Sequence, residues 1–189
     1  MSTLIAFGTP NNAKPVTSSN PLPVGGNKKV EAQAFTREAN ATPYTAGDVV
    51  SVTAATVVPA MAFTTAGLVP GGSGYIVGAK LIYNVKSVVP RTRVHVFNIN
   101  TATVAGDNLP WKELYADSSK RVGYFDLPAM ATGADTTNSD MSRAISFDFR
   151  LPYVCAAGST TLYVVLETLD VVTLSSGSAA TMTLMFEQD

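Results

Sequence analysis

The sequence holds one cysteine, one histidine and one tryptophan among 189 residues. A lone cysteine makes no intramolecular bridge and no thiolate cluster. Cys155 is therefore expected as a small buried apolar residue near a strand end, since no base or basic run surrounds it. With His95 alone, an imidazole metal centre or a Ser-His-Asp triad has at most one ring to work with. Alternation puts His95 on one face with Arg93 and Phe97, and it is expected at the surface or at a subunit contact. Charge is sparse as well, at 14% of residues with a formal net charge of −1. That balance argues against capture of nucleic acid or an anionic membrane. No window approaches the roughly 18 continuous apolar residues of a membrane span. Residues 1–7 lack the basic start of a leader, so synthesis and assembly in a cytoplasm are expected. No helix-period pattern as long as the strand pattern of 71–100 occurs, and no nucleophile motif is present.

What remains is strand patterning, densest over 71–100. After a glycine cluster, Tyr75, Val77, Ala79, Leu81 and Tyr83 fall on one face of an extended run, and Ile76, Gly78, Lys80, Ile82 and Asn84 on the other. Pro90, Arg91 and Arg93 interrupt it before Val94, Val96 and Ile99, so the two runs are expected as neighbouring antiparallel strands. Upstream, Val30–Thr36 and Val49–Val52 are expected strands flanking a turn at Thr42–Asp48. Pro59 demotes 57–64 to an edge or bulged strand. Gly67–Gly74 is a loop; a phosphate cradle would need a following helix and a Lys-Ser/Thr pair, and both are missing.

Downstream, Asn108–Tyr115 looks like a short helical turn, with Trp111 as a plug over one end of the fold. Lys120–Leu127 is an expected strand and 132–140 a polar loop. Asp135, Asn138 and Asp140 in that loop offer calcium-type oxygens, but without the spacing or bidentate Glu of an EF-hand. No metal and no cofactor are expected. In 141–151, Ile145, Phe147 and Phe149 alternate with Ser146, Asp148 and Arg150, and Pro152 stops the run. Thr161–Thr168 is apolar almost throughout, which suits burial on both faces. Ala180, Met182, Leu184 and Phe186 then form one face of a last strand. About eight short strands with Gly/Pro turns indicate an all-β antiparallel sandwich, a jelly roll or a related Greek key. A chain of this length buries about 70% of its unfolded surface, enough for stability without disulfides.

Residues 1–29 form an extended N-terminal arm ahead of a sandwich spanning 30–189. Pro10, Pro15, Pro21 and Pro23 disfavour helix there. Leu4, Ile5, Phe7, Leu22 and Val24 are apolar anchors that a solubility tail would not need, and are expected to contact a partner subunit. The basic pairs Lys28-Lys29, Arg91/Arg93 and Lys120-Arg121 are short, offset by 14 acids, and expected as salt-bridge partners. Carboxylate pairs such as Glu113/Asp117 and Asp135/Asp140 have nothing to place them in one cleft, so glycan hydrolysis ranks last among the functions.

The runs Tyr44-Thr45-Ala46-Gly47-Asp48-Val49-Val50, Gly71-Gly72-Ser73-Gly74-Tyr75-Ile76 and His95-Val96-Phe97-Asn98, with the small polar C-terminal strands, resemble small tailed-bacteriophage virion proteins with a jelly-roll or β-sandwich domain. The resemblance spans about residues 40–187 and excludes the arm. It implies a structural virion protein, not an enzyme, that decorates or cements the capsid. Its implied partners are the major capsid protein or other virion subunits, with self-association as a homotrimer. A tail-fibre or adhesin module binding a host carbohydrate or receptor is the alternative, and would need exposed aromatics clustered near loop tips; Tyr44, Tyr75, Tyr115 and Tyr124 are scattered in sequence.

Overall fold

The computed structural model describes residues 27–39, 41–52, 61–86, 88–100, 106–132 and 141–189, with the backbone of 6–7 and 14–15. In the arm, β1 (Ala6–Phe7) and β2 (Lys14–Pro15) pair antiparallel, Phe7 opposite Lys14. The sandwich begins with β3 at Asn27–Thr36, three residues ahead of the expected start. It continues through β4 (Val49–Val50), β5 (Met61–Phe63), β6 (Ser73–Tyr83) and β7 (Thr92–Phe97). A 3-10 helix at Tyr115–Lys120 precedes β8 (Arg121–Leu127) and β9 (Ala131–Thr132). The chain closes with β10 (Ser142–Ser146), β11 (Leu151–Val154), β12 (Leu162–Thr168) and β13 (Ala179–Gln188).

Two antiparallel sheets result. One runs β3-β13-β6-β10-β9 with β11 also on β6, the other β4-β12-β7-β8 with β5 also on β12. The pairing is a mirror in sequence. The first sandwich strand lies beside the last, β4 and β5 beside β12, β6 beside β10 and β11, and β7 beside β8. A long hairpin folded over in this way is a jelly roll.

The expected pairing of the two runs in 71–100 is not what forms: β6 and β7 lie in opposite sheets. Both edges of β6 are occupied, by β13 on one side and by β10 and β11 on the other. The connection after Tyr83 is also longer than a tight hairpin turn. It crosses from sheet to sheet with Val88 buried, where Ser142 Oγ accepts from Val88 N and donates to the Val85 carbonyl at 2.8 Å.

The expected single face of β6 fails as well. Met185 sits opposite Gly78 but Phe186 opposite Ile76, so β6 carries one extra residue in a bulge. A bulge inverts the side-chain phase. Ile76 therefore points inward together with Ala79, Leu81 and Tyr83, while Tyr75 and Val77 are only half-buried.

In β10 it is Ala144 that faces the core, and Ile145 and Phe147 face out; Phe149 alone turns in, stacking on Phe125 at 4.3 Å. The expected face was one position out of phase because the run is two strands, broken between Ser146 and Leu151. Pro152 lies within β11, opposite Tyr75, where an edge position tolerates the missing N–H. The β12 and β13 expectations hold: Leu162, Val164 and Leu166 meet Met182, Leu184 and Phe186 in one core. Cys155 is buried in it.

Core and outer face should respond differently to truncation. Leu184→Ala removes a fully buried side chain and is expected to cost about 2–5 kcal/mol. Val30→Ala, on the outer face of the same sheet, should change stability by no more than about 0.5 kcal/mol. Urea unfolding of both variants checks this, and equal losses would contradict the inward assignment of Leu184.

Candidate functional site

The second sheet carries the densest side-chain chemistry, on its outer face. Gly47, at φ 95°, closes the expected turn in a conformation only glycine adopts without strain, and Asp48 accepts from Thr45 N at 2.6 Å. The chain just past residue 106 comes back along β4 as an added edge. Asn108 N donates to Val49 O at 2.9 Å, Val49 N to Leu109 O at 2.9 Å, and Trp111 N to Gly47 O at 2.7 Å. It then crosses the sheet as a strap and ends in the 3-10 helix. The helical turn expected at Asn108–Tyr115 is thus displaced to Tyr115–Lys120, because the backbone of Asn108, Leu109 and Trp111 is engaged with Gly47 and Val49 and not in a helix.

Under the strap lies His95. It is 2% exposed and not, as expected, a surface residue. Its alternation with Val94 and Val96 does put it on the Arg93/Phe97 face, but the strap covers that face. Trp111 stacks on the imidazole at 3.6 Å with ring planes 5° apart, so it covers a sheet face and does not plug an end. Imidazole Nε2 is 2.7 Å from Glu167 Oε2, and Nδ1 is 2.9 Å from Arg121 Nη2. A guanidinium only donates, so Nδ1 must accept. The ring is therefore neutral, with its proton on Nε2 directed at Glu167. Burial first, then the Arg121 and Arg93 charges, hold its pKa down to about 3. Burial also raises the Glu167 carboxyl above its ordinary range. Arg121 also donates to Glu113, Arg93 pairs with Asp126 at 2.7 Å, and Tyr124 lies between the two guanidiniums at 4.4 and 5.2 Å.

A second buried network anchors the start of the strap. Asp107 Oδ1 accepts from Tyr44 Oη at 2.7 Å and from Ser51 N at 2.8 Å. Its other oxygen lies 3.6 Å from Arg37 Nε, with both side chains fully buried. Arg37 donates in turn to the carbonyls of Leu174 and Ser175, at 3.0 Å each. One ion pair thereby fastens the end of β3, the Tyr44 turn, the strap and the loop before β13. Burial and the Asp107 carboxylate push the Tyr44 phenol up, so it stays a donor. Neither Arg37 nor Asp107 stood out in the sequence, since they lie far apart in the chain and neither belongs to a motif.

The outer face of the first sheet is different in kind. Register places Val30, Ala32 and Ala34 of β3, Thr181 and Met185 of β13, Ile82 of β6 and Ile145 of β10 on it. Val30 is 60% and Phe147 56% exposed. Phe147 lies over Gly78, where a Cβ would come within 2.7 Å of its ring. A groove of about 440 Å³ at one end of this face is lined by Ala34, Thr36, Ile82, Asn84, Met141 and Thr181, among other neutral residues.

Of the expected contact residues, Leu4, Ile5, Leu22 and Val24 lie outside the described residues, and Phe7 is described only by its backbone pairing. Asp135, Asn138 and Asp140 also lie outside them. Among the described residues no group of three or more His, Cys, Asp or Glu side chains is placed to hold a metal ion, and no helix is long and apolar enough to cross a membrane. The basic pairs behave as expected where partners are seen. Arg91 meets Asp170 and Lys120 meets Asp117, each at 2.6 Å.

No protein-family model matches the chain, and no curated protein matches it. Among solved structures it is similar to a chain of the acidic stable capsid of Helicobacter pylori bacteriophage KHP30, at 12% identity and TM-score 0.30 over 86% of this chain and 89% of that one. A chain of the cyanophage Pam1 capsid asymmetric unit gives 14% and 0.33 over 95% and 96%. Desmodium yellow mottle tymovirus gives 10% and 0.23 over 100% and 95%. At these scores the fold assignment rests on strand order alone.

Asp107→Ala should be severe, because it strands the buried Arg37 guanidinium and frees the Tyr44 and Ser51 donors. A loss of about 3–5 kcal/mol is expected. The paired replacement Arg37→Met with Asp107→Leu should recover part of it. Thermal and urea unfolding measure both, and a paired variant worse than Asp107→Ala would contradict the ion-pair account.

Proposed function

We propose that this chain is a structural subunit of a bacteriophage particle, a capsid decoration or cement protein that works by burying surface and not by catalysis. The observation that supports this best is the outer face of the β3-β13-β6-β10 sheet, which no described segment covers. Val30, Ala32, Ala34, Ile82, Ile145 and Phe147 make it apolar and small-featured, with Lys80 and Arg143 as its central charges. Apolar patches of this kind on a soluble chain commonly mark protein contacts. Short side chains there lose little rotamer freedom on burial, and each large one contributes about 1.5–3 kcal/mol when covered.

Self-association in a closed ring, as a homotrimer, would cover this face and the open edge of β3 in every copy. The arm ahead of Asn27 then reaches a neighbouring virion subunit, with Leu4, Ile5, Phe7, Leu22 and Val24 as its anchors. Ordering it costs roughly 1–2 kcal/mol per fixed residue, so these anchors must be well seated. Its four prolines lower that cost beforehand. The adhesin alternative draws on two exposed tyrosines, Tyr124 between Arg93 and Arg121 and Tyr115 at the start of the 3-10 helix. Of the other tyrosines, Tyr44 is buried and Tyr75 lies under Arg150.

Val30→Asp with Ile145→Asp should leave the free protein folded, with unfolding midpoints close to native, while light scattering shows a loss of self-association and particles fail to incorporate the variant. Normal assembly would exclude this face as the contact. Deleting residues 2–24 should likewise spare folding and abolish incorporation; full incorporation would make the arm a passive tail. Either variant taken up by particles as well as the native chain counts against the corresponding contact.

A further inference from the structure

We propose that the strap from Gly106 to Lys120 is an acid-released cover, latched by the neutral His95 beneath Trp111. Three contacts set the latch. Nδ1 accepts from Arg121 at 2.9 Å, Nε2 faces Glu167 at 2.7 Å, and the Trp111 indole lies flat on the ring at 3.6 Å. A proton added at Nδ1 has no acceptor. It meets the Arg121 guanidinium head-on, so one hydrogen bond is lost and two cations are brought together. The ring is 2% exposed, so water cannot relieve this while the strap is closed.

Every element packed around the ring supplies a charged group. Glu167 comes from β12, Arg93 from β7, Arg121, Tyr124 and Asp126 from β8, and Glu113 from the strap itself. The two arginines resist protonation. Arg93 is tied to Asp126 within the sheet and Arg121 to Glu113 on the strap, so Arg121 is released from its place beside the ring only as the strap moves or that pair breaks. The response is for the middle of the strap to lift between Trp111 and Leu114, which gives up the Glu113–Arg121 pair and the Trp111 stacking, leaves Asp107 in its buried network, and gives the ring water. Beneath it lie Val49, Phe97 and Val165, a small apolar cluster separate from the main core. Acid therefore uncovers an apolar patch on the outer face of the second sheet.

The sign follows from the two states. Closed, the imidazole is held down to about 3; opened to water, it returns to its ordinary 6.5. The open state takes up the proton more readily, so opening is favoured as pH falls below 6.5, by up to about tenfold per pH unit. Between pH 7.5 and 5, His95 alone raises the opening equilibrium by about thirtyfold. Glu167 opposes this, because burial raises its pKa in the closed state and that state then gains a proton as well.

The sequence supplies its own reporters, since the chain has one histidine and one tryptophan and they are stacked together. Hydrogen–deuterium exchange of the full chain, corrected for intrinsic rates, should show protection in 106–120 falling several-fold, and at most about thirtyfold, from pH 7.5 to 5, while Ala179–Gln188 keeps its protection. His95→Gln should abolish the fall, because an amide serves Glu167 and Arg121 without titrating. Glu167→Gln should steepen it toward the full thirtyfold by removing the opposing proton. Imidazole nitrogen shifts of the native chain at pH 7 should show Nδ1 bare and Nε2 protonated. They decide the matter if His95→Gln does not fold. The proposal is overturned by an Nδ1-protonated ring at pH 7, by pH-independent protection of the strap, by an unchanged fall in His95→Gln, or by equal loss from β13.

Discussion

Everything in this fold depends on β13 being a central strand. It pairs with β3 along Ala179–Gln188 and with β6 over nearly the same span, so the last strand joins the first to the middle of the chain. A neighbour on each side, here antiparallel in both cases, satisfies its backbone donors and acceptors, which a buried strand cannot leave open. That single placement forces the rest. With β3 and β6 on either side of it, β12 must return in the opposite sheet, where it finds β4, β5 and β7. The mirror pairing of the jelly roll follows from the chain doubling back on itself about β7 and β8. Its main cost is loop closure, since the pairs that matter most are the most distant in sequence.

Side-chain periodicity made the inner half of this arrangement legible. Ala180, Met182, Leu184 and Phe186 alternate without a break because the extra residue of the bulge lies in β6 and not in β13, and β12 is apolar up to Leu166 because both of its faces are covered. β6 was misread for a local reason. A period of two carries no marker for an inserted residue, so the bulge opposite Met185 and Phe186 reversed the phase of Ile76 unannounced. The partner of β6 was misassigned for a non-local reason. Nothing in 71–100 records that strands from the far end of the chain occupy both of its edges. Ile145 and Phe147 failed similarly, being apolar residues on a face that no described segment covers.

The chemistry was less visible still. His95 alternates with core valines as a surface residue would, and only the strap turns that outward face into an interior. The strap is itself held by pairing with a strand of two residues, β4, and by the Arg37–Asp107 ion pair. Charges so far apart in sequence declare no relationship. What composition did convey was scarcity. In a chain with 14% charged residues, a buried guanidinium–carboxylate pair and a buried imidazole–carboxylate pair take a sizeable share of the ionisable groups out of water. Such pairs seldom add net stability over an apolar replacement. What they do here is fix which segments meet.

The two outer faces of the sandwich then differ for a physical reason. The outer face of the second sheet presents His95, Glu167, Arg93 and Arg121, whose burial calls for matched donors and acceptors; His95 and Arg93 find theirs within the sheet, and the strap adds Glu113 to Arg121 and the Trp111 ring over the imidazole, leaving Arg121 Nε unmatched. The β3-β13-β6 face presents alanine, threonine, valine and isoleucine, whose burial asks little of a partner beyond shape. A surface with exacting hydrogen-bond demands is best covered within the chain, before any encounter. A surface without them can wait for another molecule. The contrast puts the responsive chemistry under the strap and the adhesive surface on the opposite side, so that a change at His95 need not disturb the contact face.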